Sequence, residues 1–431
     1  MSLKEDEQLL GSWLKELNNT SNQVRGVGYY SKLCNDVMKH ENLKQDSMEY
    51  KVAAATCGWG YKYENQKHKK WHVVLLGEFQ SKFLRLLGIT SRCPLNPLCK
   101  ISHMPNHTFP QGDSYNVFIV NQKDAEKFST SVANDRTESD NKNIYKVLYW
   151  REANIKYVPK RIQRLFDFEM GIHYHVAGIL NPVYLRGPLE LLSMAINPFP
   201  RIEFTPPEQR RFGISIISDC NAKSLRDHYL AELTHLLGTE RINRFGRCVG
   251  KSLPGNLLSN QARLISKYKF YFAFENTIQS GYVTEKLFFS LNIPILPVYY
   301  GWIQLPNITK TPSFIRVADF NSPKSLANYL LYLDATHTEY MKFHEWRWKS
   351  DSFEENFLKK LSKDVAGPDE QMIYVKQTPQ PAYPSRSAQF CRLCDPDEVE
   401  RLSRENYLAG SKRIVIEPPM NKQDILQRFF S

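Results

Sequence analysis

Two apolar runs in this sequence flank a cluster of polar and charged residues. Phe270 to Phe274 and Ile293 to Tyr300 are short runs typical of parallel strands that are covered on both faces. Between them, Glu285 and Lys286 fall in the first turn of a predicted helix that opens at Tyr282. Backbone N–H groups at a helix start attract anions. The spacing therefore predicts a βαβ unit that binds a ligand at the carboxyl end of its first strand.

Lys286 indicates what kind of ligand this unit would take. An acid such as Glu285 in a first turn complements the helix dipole whether or not anything binds. A lysine beside the positive helix end is unfavourable unless an anion compensates for it. The pair therefore favours an anionic ligand over a purely structural helix start.

Two further residues have types and positions suited to chemistry. Arg226 lies near the start of a second amphipathic helix, where a guanidinium can hold a phosphate through two parallel bonds or simply be solvated. Glu152 follows the apolar run KVLYW at its carboxyl end. A carboxylate there can act as a general base, or it can form a surface ion pair with Arg151.

Several blocks of the sequence together resemble the alpha-1,3-fucosyltransferases. FENTIQSGYVTEK is similar to the family signature, and FGISIISDC, NAKSLRDHYLAELTHLL and RINRFGRCVGK resemble its strand, Arg-bearing helix and next strand end. KVLYWREAN, FDFEMGIHY and NPVYLRGPLELL match an earlier block. RWKSDSFEENFLKKL and FCRLC resemble the tail of plant and protist enzymes that fucosylate the core of N-glycans. These blocks cover most of Lys146 to Cys394.

The resemblance implies an α/β fold of the GT-B class, with two Rossmann-like domains facing a cleft and a cysteine-bearing C-terminal tail. It implies an inverting transfer of L-fucose from GDP-beta-L-fucose to the 3-OH of GlcNAc in a glycan acceptor, on N-glycans. Glu152 would remove the acceptor proton from the first domain. Arg226 and Lys286 would stabilise the departing GDP.

The same resemblance assigns the remaining donor contacts. Glu285 would bond the ribose hydroxyls, and Asn276 and Tyr282 would line the diphosphate and the sugar. Core packing is an alternative role for Tyr282, because an aromatic residue at a helix start is commonly buried. Glu275 would hold the loop rather than contact the ligand.

Length and patterning predict how these parts are arranged. A chain of 431 residues exceeds what one core usually organises. We expect an N-terminal extension over residues 1–50, an acceptor-side domain over 51–200, a GDP-fucose-binding domain over 201–361 and a tail with CxxC over 362–431. WHVVLLGEF, YNVFIV, KVLYW and FDFEMGI are predicted strands of the first domain, and the Pro-rich stretch INPFPRIEFTPPEQRR is the predicted linker.

Charge and composition limit the choice of partners. The net charge of +12 attracts polyanions, but the basic residues form no continuous stripe and no zinc-finger spacing, so a sugar nucleotide is favoured over nucleic acid. No metal or other cofactor is required, although Mn²⁺ could stimulate through the diphosphate. Asp395-Pro-Asp397 is interpreted as a turn. No run approaches the roughly 20 apolar residues that span a bilayer. The resemblance implies the Golgi lumen, with any anchor absent from this sequence.

The eight cysteines form an even set that favours disulfides over a zinc site. Only Cys391 and Cys394 have zinc-like spacing. Relatives pair the early cysteines either locally, as Cys93 with Cys99 would, or with the C-terminal CxxC, and both connectivities stay open.

One departure from the family leaves the acceptor undetermined. Asn121, Gln122 and Lys123 stand where enzymes with Lewis-type acceptors carry a His-His element. A catalytically inactive glycan- or nucleotide-binding relative, and a GT-B enzyme with another nucleotide sugar, are the alternatives.

Overall fold

A computed structural model describes most of the chain between residues 70 and 430. Its ranges are 70–79, 98–105, 115–134, 144–150, 152–153, 157–173, 179–180, 205–254, 258–349, 352–358, 392–408 and 416–430. The predicted extension over residues 1–50 lies outside them. In the following, residues 70–180 are called the first half and residues 205–358 the second half.

The first half contains a six-stranded parallel sheet. Its strands are β1 (Trp71–Leu76), β2 (Cys99–Met104), β3 (Val117–Asn121), β4 (Tyr145–Tyr149), β5 (Phe168–Gly171) and β6 (Ile179–Leu180), with helices α1 (Ala125–Asn134) and α2 (Lys160–Gln163). The strand order is β2-β1-β3-β4-β5-β6, and every pairing is parallel. Four strands were predicted from their apolar runs. The edge strands β2 and β6 were not, because CKISHM is only partly buried and lacks such a run.

The second half contains a five-stranded parallel sheet with helices on both faces. Its elements are β7 (Arg211–Ile216), α3 (Arg226–Leu237), β8 (Ile242–Phe245), α4 (Leu258–Ile265), β9 (Tyr268–Phe274), α5 (Glu285–Leu291), β10 (Leu296–Tyr300), β11 (Ile315–Arg316), α6 (Pro323–Ala335) and α7 (His337–Lys342). The strand order is β11-β10-β9-β7-β8. The central strand β9 is buried along its whole length, as its apolar run predicts. Two such parallel sheets confirm the α/β, GT-B class.

The C-terminal segment packs against both halves. Helix α8 (Pro396–Leu408) places Val399 and Leu402 in the core beneath the first sheet, and Leu393 accepts a hydrogen bond from the indole of Trp71 at 2.8 Å. Helix α9 (Lys422–Phe429) instead places Ile425 and Phe429 in the core of the second half. The predicted tail is therefore built into both cores. Asp395 accepts a hydrogen bond from the backbone of Asp397, as expected for a turn that starts a helix.

Two disulfides join distant parts of the described chain. Cys99 pairs with Cys394, so of the two connectivities left open, the link to the C-terminal CxxC is the one observed and a local Cys93–Cys99 loop is wrong. Cys220 pairs with Cys248. Cys34, Cys57, Cys93 and Cys391 lie outside the described residues. Within the described ranges, no helix is long and apolar enough to cross a membrane.

Candidate active site

The loop between β9 and α5 forms one wall of the candidate site. The helix begins at Glu285, with Thr284 as its extended N-cap, so the predicted start at Tyr282 is wrong. The reason lies in the backbone: Gly281 has a positive φ of 77°, and Tyr282 pairs with His173 of the first half as an isolated antiparallel bridge. A turn closed by the hydrogen bond from the Tyr282 N–H to the Gln279 carbonyl at 3.1 Å therefore precedes the helix, and Tyr282 lies outside it.

A buried carboxylate organises the start of α5. Glu275 is fully buried and accepts hydrogen bonds at 2.8 Å from the backbone N–H and the hydroxyl of Thr284. Its second oxygen lies 3.2 Å from the Nζ of Lys286. Burial raises the pKa of Glu275, and the lysine partly opposes this. Glu275 therefore holds the loop, as expected from the sequence.

Lys286 keeps its charge and some access to solvent. Its Nζ also contacts the hydroxyl of Thr284 at 3.0 Å, and its side chain is 21% exposed. Burial lowers the pKa of this ammonium, but the carboxylates of Glu275 and Glu285 outweigh burial, so the pKa is raised overall. Glu285 is 62% exposed and lies 3.4 Å from the same Nζ. An ammonium and an exposed carboxylate thus lie side by side at the helix start.

Arg226 lies beneath this wall rather than on its surface. It begins α3 and is only 2% exposed, so the prediction that it stands at a helix start is confirmed. Its guanidinium donates to the carbonyls of Phe274 at 2.9 Å and of Asp219 at 2.8 Å. Its positive charge acts on Lys286. The Arg226 side chain therefore ties two strand ends together and adds positive potential below the loop.

The disulfide between Cys220 and Cys248 supports the same wall. Cys220 follows β7 and Cys248 follows β8, so the bond joins two loops at the carboxyl ends of neighbouring strands. Ser218 in the first loop accepts a hydrogen bond from Arg247 in the second at 3.0 Å. Asp219, whose carbonyl holds Arg226, lies between Ser218 and Cys220.

Glu152 stands opposite, at the end of the first sheet. Its backbone carbonyl accepts a hydrogen bond from the Gln122 side chain at 2.8 Å, and its backbone N–H donates to the same side chain at 3.3 Å. Its Oε2 lies 3.0 Å from the Tyr282 hydroxyl. That hydroxyl is also 3.0 Å from Oδ1 of Asn276. The structure therefore brings Glu152, Tyr282 and Asn276 into one hydrogen-bonded group.

The predicted site residues accordingly fall into two groups, one in each half. Lys286, its neighbour Glu285 and the underlying Arg226 lie around a helix start in the second half, and Glu152 of the first half supplies a carboxylate that Tyr282 reaches from the second half. Such an arrangement suits transfer of a group away from an anionic leaving group, with a carboxylate available to take a proton.

Sequence reasoning missed two residues that shape this site. Thr284 precedes Glu285 and is a preferred N-cap type, so its role was readable from the pattern. Gln122 was noted only as a departure from related sequences. Its hold on Glu152 depends on the neighbouring ends of β3 and β4, which sequence spacing does not reveal.

Comparison with known proteins places the second half and part of the tail in a family. Residues 206–404 match the model described as glycosyltransferase family 10 (fucosyltransferase) C-term. The chain contains a family 10 fucosyltransferase domain. It includes every predicted site residue except Glu152, and the predicted resemblance is confirmed.

Individual relatives match this chain over limited stretches. GDP-fucose protein O-fucosyltransferase 3 of Danio rerio is 36% identical over 162 residues, 35% of this chain and 34% of that protein. The Homo sapiens protein of the same name is 33% identical over 222 residues, 48% of this chain and 45% of that protein. A Mus musculus 4-galactosyl-N-acetylglucosaminide 3-alpha-L-fucosyltransferase 9 is 32% identical over 165 residues, 38% of this chain and 44% of that protein. The matched stretches thus span less than half of these relatives.

Solved structures were compared as well. A crystal structure of an alpha1,3-fucosyltransferase with GDP-fucose superimposes with a TM-score of 0.44 and 17% identity, covering 75% of this chain and 98% of that one.

Proposed function

We propose that this protein transfers L-fucose from GDP-beta-L-fucose to an acceptor hydroxyl with inversion at the sugar carbon. The observation that carries the proposal is the placement of Lys286 at the start of α5 within a family 10 domain, opposite Glu152. An acceptor oxygen would attack the fucose C1 and lose its proton to Glu152. The bond from C1 to the diphosphate would break, and GDP would leave carrying the bonding electrons.

The exposure of each side chain indicates which contacts it can make with GDP-fucose. Lys286 can reach a diphosphate because part of its side chain is open to solvent. The buried Arg226 would contribute positive potential from below rather than a bidentate grip, since two of its nitrogens already donate to carbonyls. Glu285 is exposed and can bond the ribose hydroxyls. Asn276 is proposed to line the sugar end.

We propose the 3-OH of GlcNAc in an N-glycan as the acceptor. The name of the mouse relative, which specifies transfer to a galactosyl-N-acetylglucosaminide, supports a GlcNAc-containing acceptor. The names of the zebrafish and human relatives favour a second candidate, a hydroxyl on a protein. In both cases the chemistry at Glu152 is the same and requires no metal, although Mn²⁺ could stimulate through the diphosphate. Two disulfides fit an oxidising compartment such as the Golgi lumen.

A nucleotide-release assay tests this function. The protein is incubated with GDP-fucose, GDP-mannose or UDP-GlcNAc together with GlcNAc-terminated N-glycans, desialylated antennary glycans or folded glycan-free secreted domains. We expect acceptor-dependent release of GDP from GDP-fucose alone, with the glycan gaining one alpha-linked fucose by mass. Fucose found only on a serine or threonine of the protein acceptors would favour the second candidate. Absence of release with every pair would contradict fucosyl transfer.

A further inference from the structure

Tyr282 belongs by sequence to the second half, yet its ring is buried in the core of the first half. It is 1% exposed and shares a hydrophobic cluster with Trp150, Ala153 and Ile172. Its backbone pairs with His173. The loop before α5 therefore crosses to the first sheet at this residue.

The Tyr282 hydroxyl has a single proton and two neighbours at equal distance. Oε2 of Glu152 and Oδ1 of Asn276 both lie 3.0 Å away. An ionised carboxylate only accepts hydrogen bonds, and a bond to it is stronger than one to a neutral amide. The proton therefore goes to Glu152. The Asn276 amide then presents its NH₂ to the phenolic oxygen, since amide oxygen and nitrogen are interchangeable by a flip.

Glu152 is consequently fixed from both halves. Gln122 holds its backbone within the first half, and Tyr282 holds its carboxylate from the second. The carbonyl of Asn276 accepts a hydrogen bond from the backbone of Ser224, which lies two residues before Arg226. A continuous set of contacts thus joins the carboxylate to the wall that is proposed to hold the donor.

We propose that Tyr282 is a positioning residue for the base: its hydroxyl sets the orientation of the Glu152 carboxylate from the donor-binding half. This inference rests on the proposed function. It differs from the role predicted from the sequence, in which Tyr282 lines the diphosphate and sugar. In this role, Tyr282 orients the Glu152 carboxylate only when the loop before α5 packs against the first sheet.

Other charged groups lie around this pair. Behind the Tyr282 backbone, His173 is buried with its Nδ1 2.9 Å from Glu169. On the donor side, the nearest described charges on the same loop and helix are Glu275, Glu285 and Lys286. Removing the Tyr282 hydroxyl leaves these charged groups in place and takes away the contacts of that hydroxyl with Glu152 and Asn276.

Tyr282→Phe tests the proposal, because it keeps the buried ring and removes only the hydroxyl. We expect turnover to fall roughly tenfold to a hundredfold, as for loss of a hydrogen bond to a charged group. GDP affinity and the KM for GDP-fucose should stay within about twofold of wild type. Tyr340→Phe is the matched control: it removes a buried hydroxyl that donates to Lys269 at 2.9 Å, away from the site, and should change none of these.

A second readout does not need activity. In protein labelled with ¹³C at glutamate carboxyls, the Glu152 signal is assigned by its loss in Glu152→Gln, and its chemical shift is read at a fixed neutral pH without donor. The signal should move in Tyr282→Phe, because the carboxylate loses its hydrogen bond, and stay in place in Tyr340→Phe. Asn276→Asp leaves the tyrosine intact but offers its proton a competing carboxylate, and it should move the signal as well, which covers the case of a poorly folded Tyr282→Phe.

The outcomes separate the two proposals. If Tyr282→Phe weakens GDP binding and leaves both turnover at saturating donor and the ¹³C signal of Glu152 unchanged, Tyr282 is a donor contact and the inference is overturned. If wild-type protein transfers no fucose, the proposed function fails while the ¹³C signal still decides the Tyr282–Glu152 contact.

Discussion

Lys286 is the residue on which donor binding depends most directly. Its partly exposed ammonium is held at the start of α5 by Glu275 and Thr284. Lys286→Ala should weaken GDP binding roughly tenfold to a hundredfold and reduce the thermal protection that GDP gives, because one charge-assisted contact is lost. Calorimetric titration and thermal melts with and without GDP measure both effects.

Lys342→Ala is the control for this change. Lys342 lies in α7 of the same half and pairs with Glu339 at 2.7 Å on the surface. Lys342→Ala should leave GDP affinity unaltered. Equal GDP binding in wild type and Lys286→Ala would show that the phosphate site lies elsewhere.

The raised pKa of Lys286 adds a pH dependence to the same measurement. A lysine whose pKa is raised stays protonated beyond the ordinary lysine range, near pH 10.4. Its charge on the diphosphate is therefore fully present at neutral pH and is lost only as the pH rises through the raised value. GDP affinity should be flat from about pH 7 to about pH 9. A decline in that window would mean that Lys286 is not the charge that holds GDP.

Glu152 is assigned the proton transfer and no part in donor binding. Glu152→Gln keeps the shape of the side chain but cannot take a proton at neutral pH. Turnover should fall by roughly a hundredfold to ten-thousandfold with GDP affinity nearly unchanged. Glu285→Gln serves as the contrasting variant, because an exposed ribose contact should affect affinity first. Near wild-type turnover in Glu152→Gln, or a parallel loss of GDP binding, would remove Glu152 from this role.

How far the sequence predicted these residues depends on what each one contacts. Lys286 and Glu285 were readable because a helix start imposes its own electrostatics on neighbours in sequence. The burial of Arg226 was not readable from the sequence, because its guanidinium is held by the carbonyls of residues 7 and 48 positions away. The contact between Tyr282 and Glu152 spans 130 residues, and no local pattern encodes it.

At the scale of elements, the helix start at α5 is both structural and functional. Thr284 caps the helix and also bonds Glu275 and Lys286. Thr284→Ala should lower the free energy of unfolding by about 1–2 kcal/mol through loss of the cap, and it should also weaken GDP binding because Lys286 loses a partner. Denaturant unfolding and GDP titration on the same preparation measure the two effects.

Ser322→Ala provides the matched loss of a cap. Ser322 caps α6 through a capping box, in contact with no residue of the candidate site. Ser322→Ala should lower the free energy of unfolding by a similar amount and leave GDP affinity as in wild type. A fall in GDP affinity with both variants would mean that the effect follows from general destabilisation rather than from the position of Lys286.

Element prediction succeeded where burial on both faces produced an apolar run, as in β9 and β10, and failed at edges. β2 is an edge strand whose residues are partly exposed, so its sequence carries little apolar signal. The start of α5 was placed at Tyr282 because its apolar spacing continues the helix. The bridge to His173 overrides that spacing.

At the scale of the whole molecule, the C-terminal segment links the two halves. Residues 416–420 lie between them: Ile416 accepts a hydrogen bond from Tyr157 at 3.0 Å, and the backbone of Met420 donates to Ile278 at 2.9 Å. Gln279, in the loop between β9 and α5, donates to the carbonyl of Glu417 at 2.8 Å. The tail therefore contacts both the first half and the loop that carries the site. Sequence patterning gave only its cysteines, since these contacts span more than a hundred residues.

The disulfide between Cys99 and Cys394 closes most of the chain into a loop and should stabilise the whole molecule. It spans 295 residues, whereas Cys220–Cys248 spans 28. In the chain-entropy view the longer loop contributes roughly 2 kcal/mol more. Replacing both Cys99 and Cys394 by alanine should therefore lower the free energy of unfolding more than replacing Cys220 and Cys248.

The two double-cysteine variants should rank in the opposite order for loss of GDP affinity. The Cys220–Cys248 bond joins the loops beside Arg226, so its removal should weaken GDP binding. Loss of the Cys99–Cys394 bond should leave the contacts within the loop between β9 and α5 intact. Denaturant unfolding, GDP titration and non-reducing peptide mapping on both double variants measure the crossed effects. Mapping of wild type and of the variant that lacks Cys220 and Cys248 should recover Cys99 linked to Cys394. A smaller stability loss for the long loop, together with unlinked peptides, would mean that the tail is held to the first sheet by packing alone.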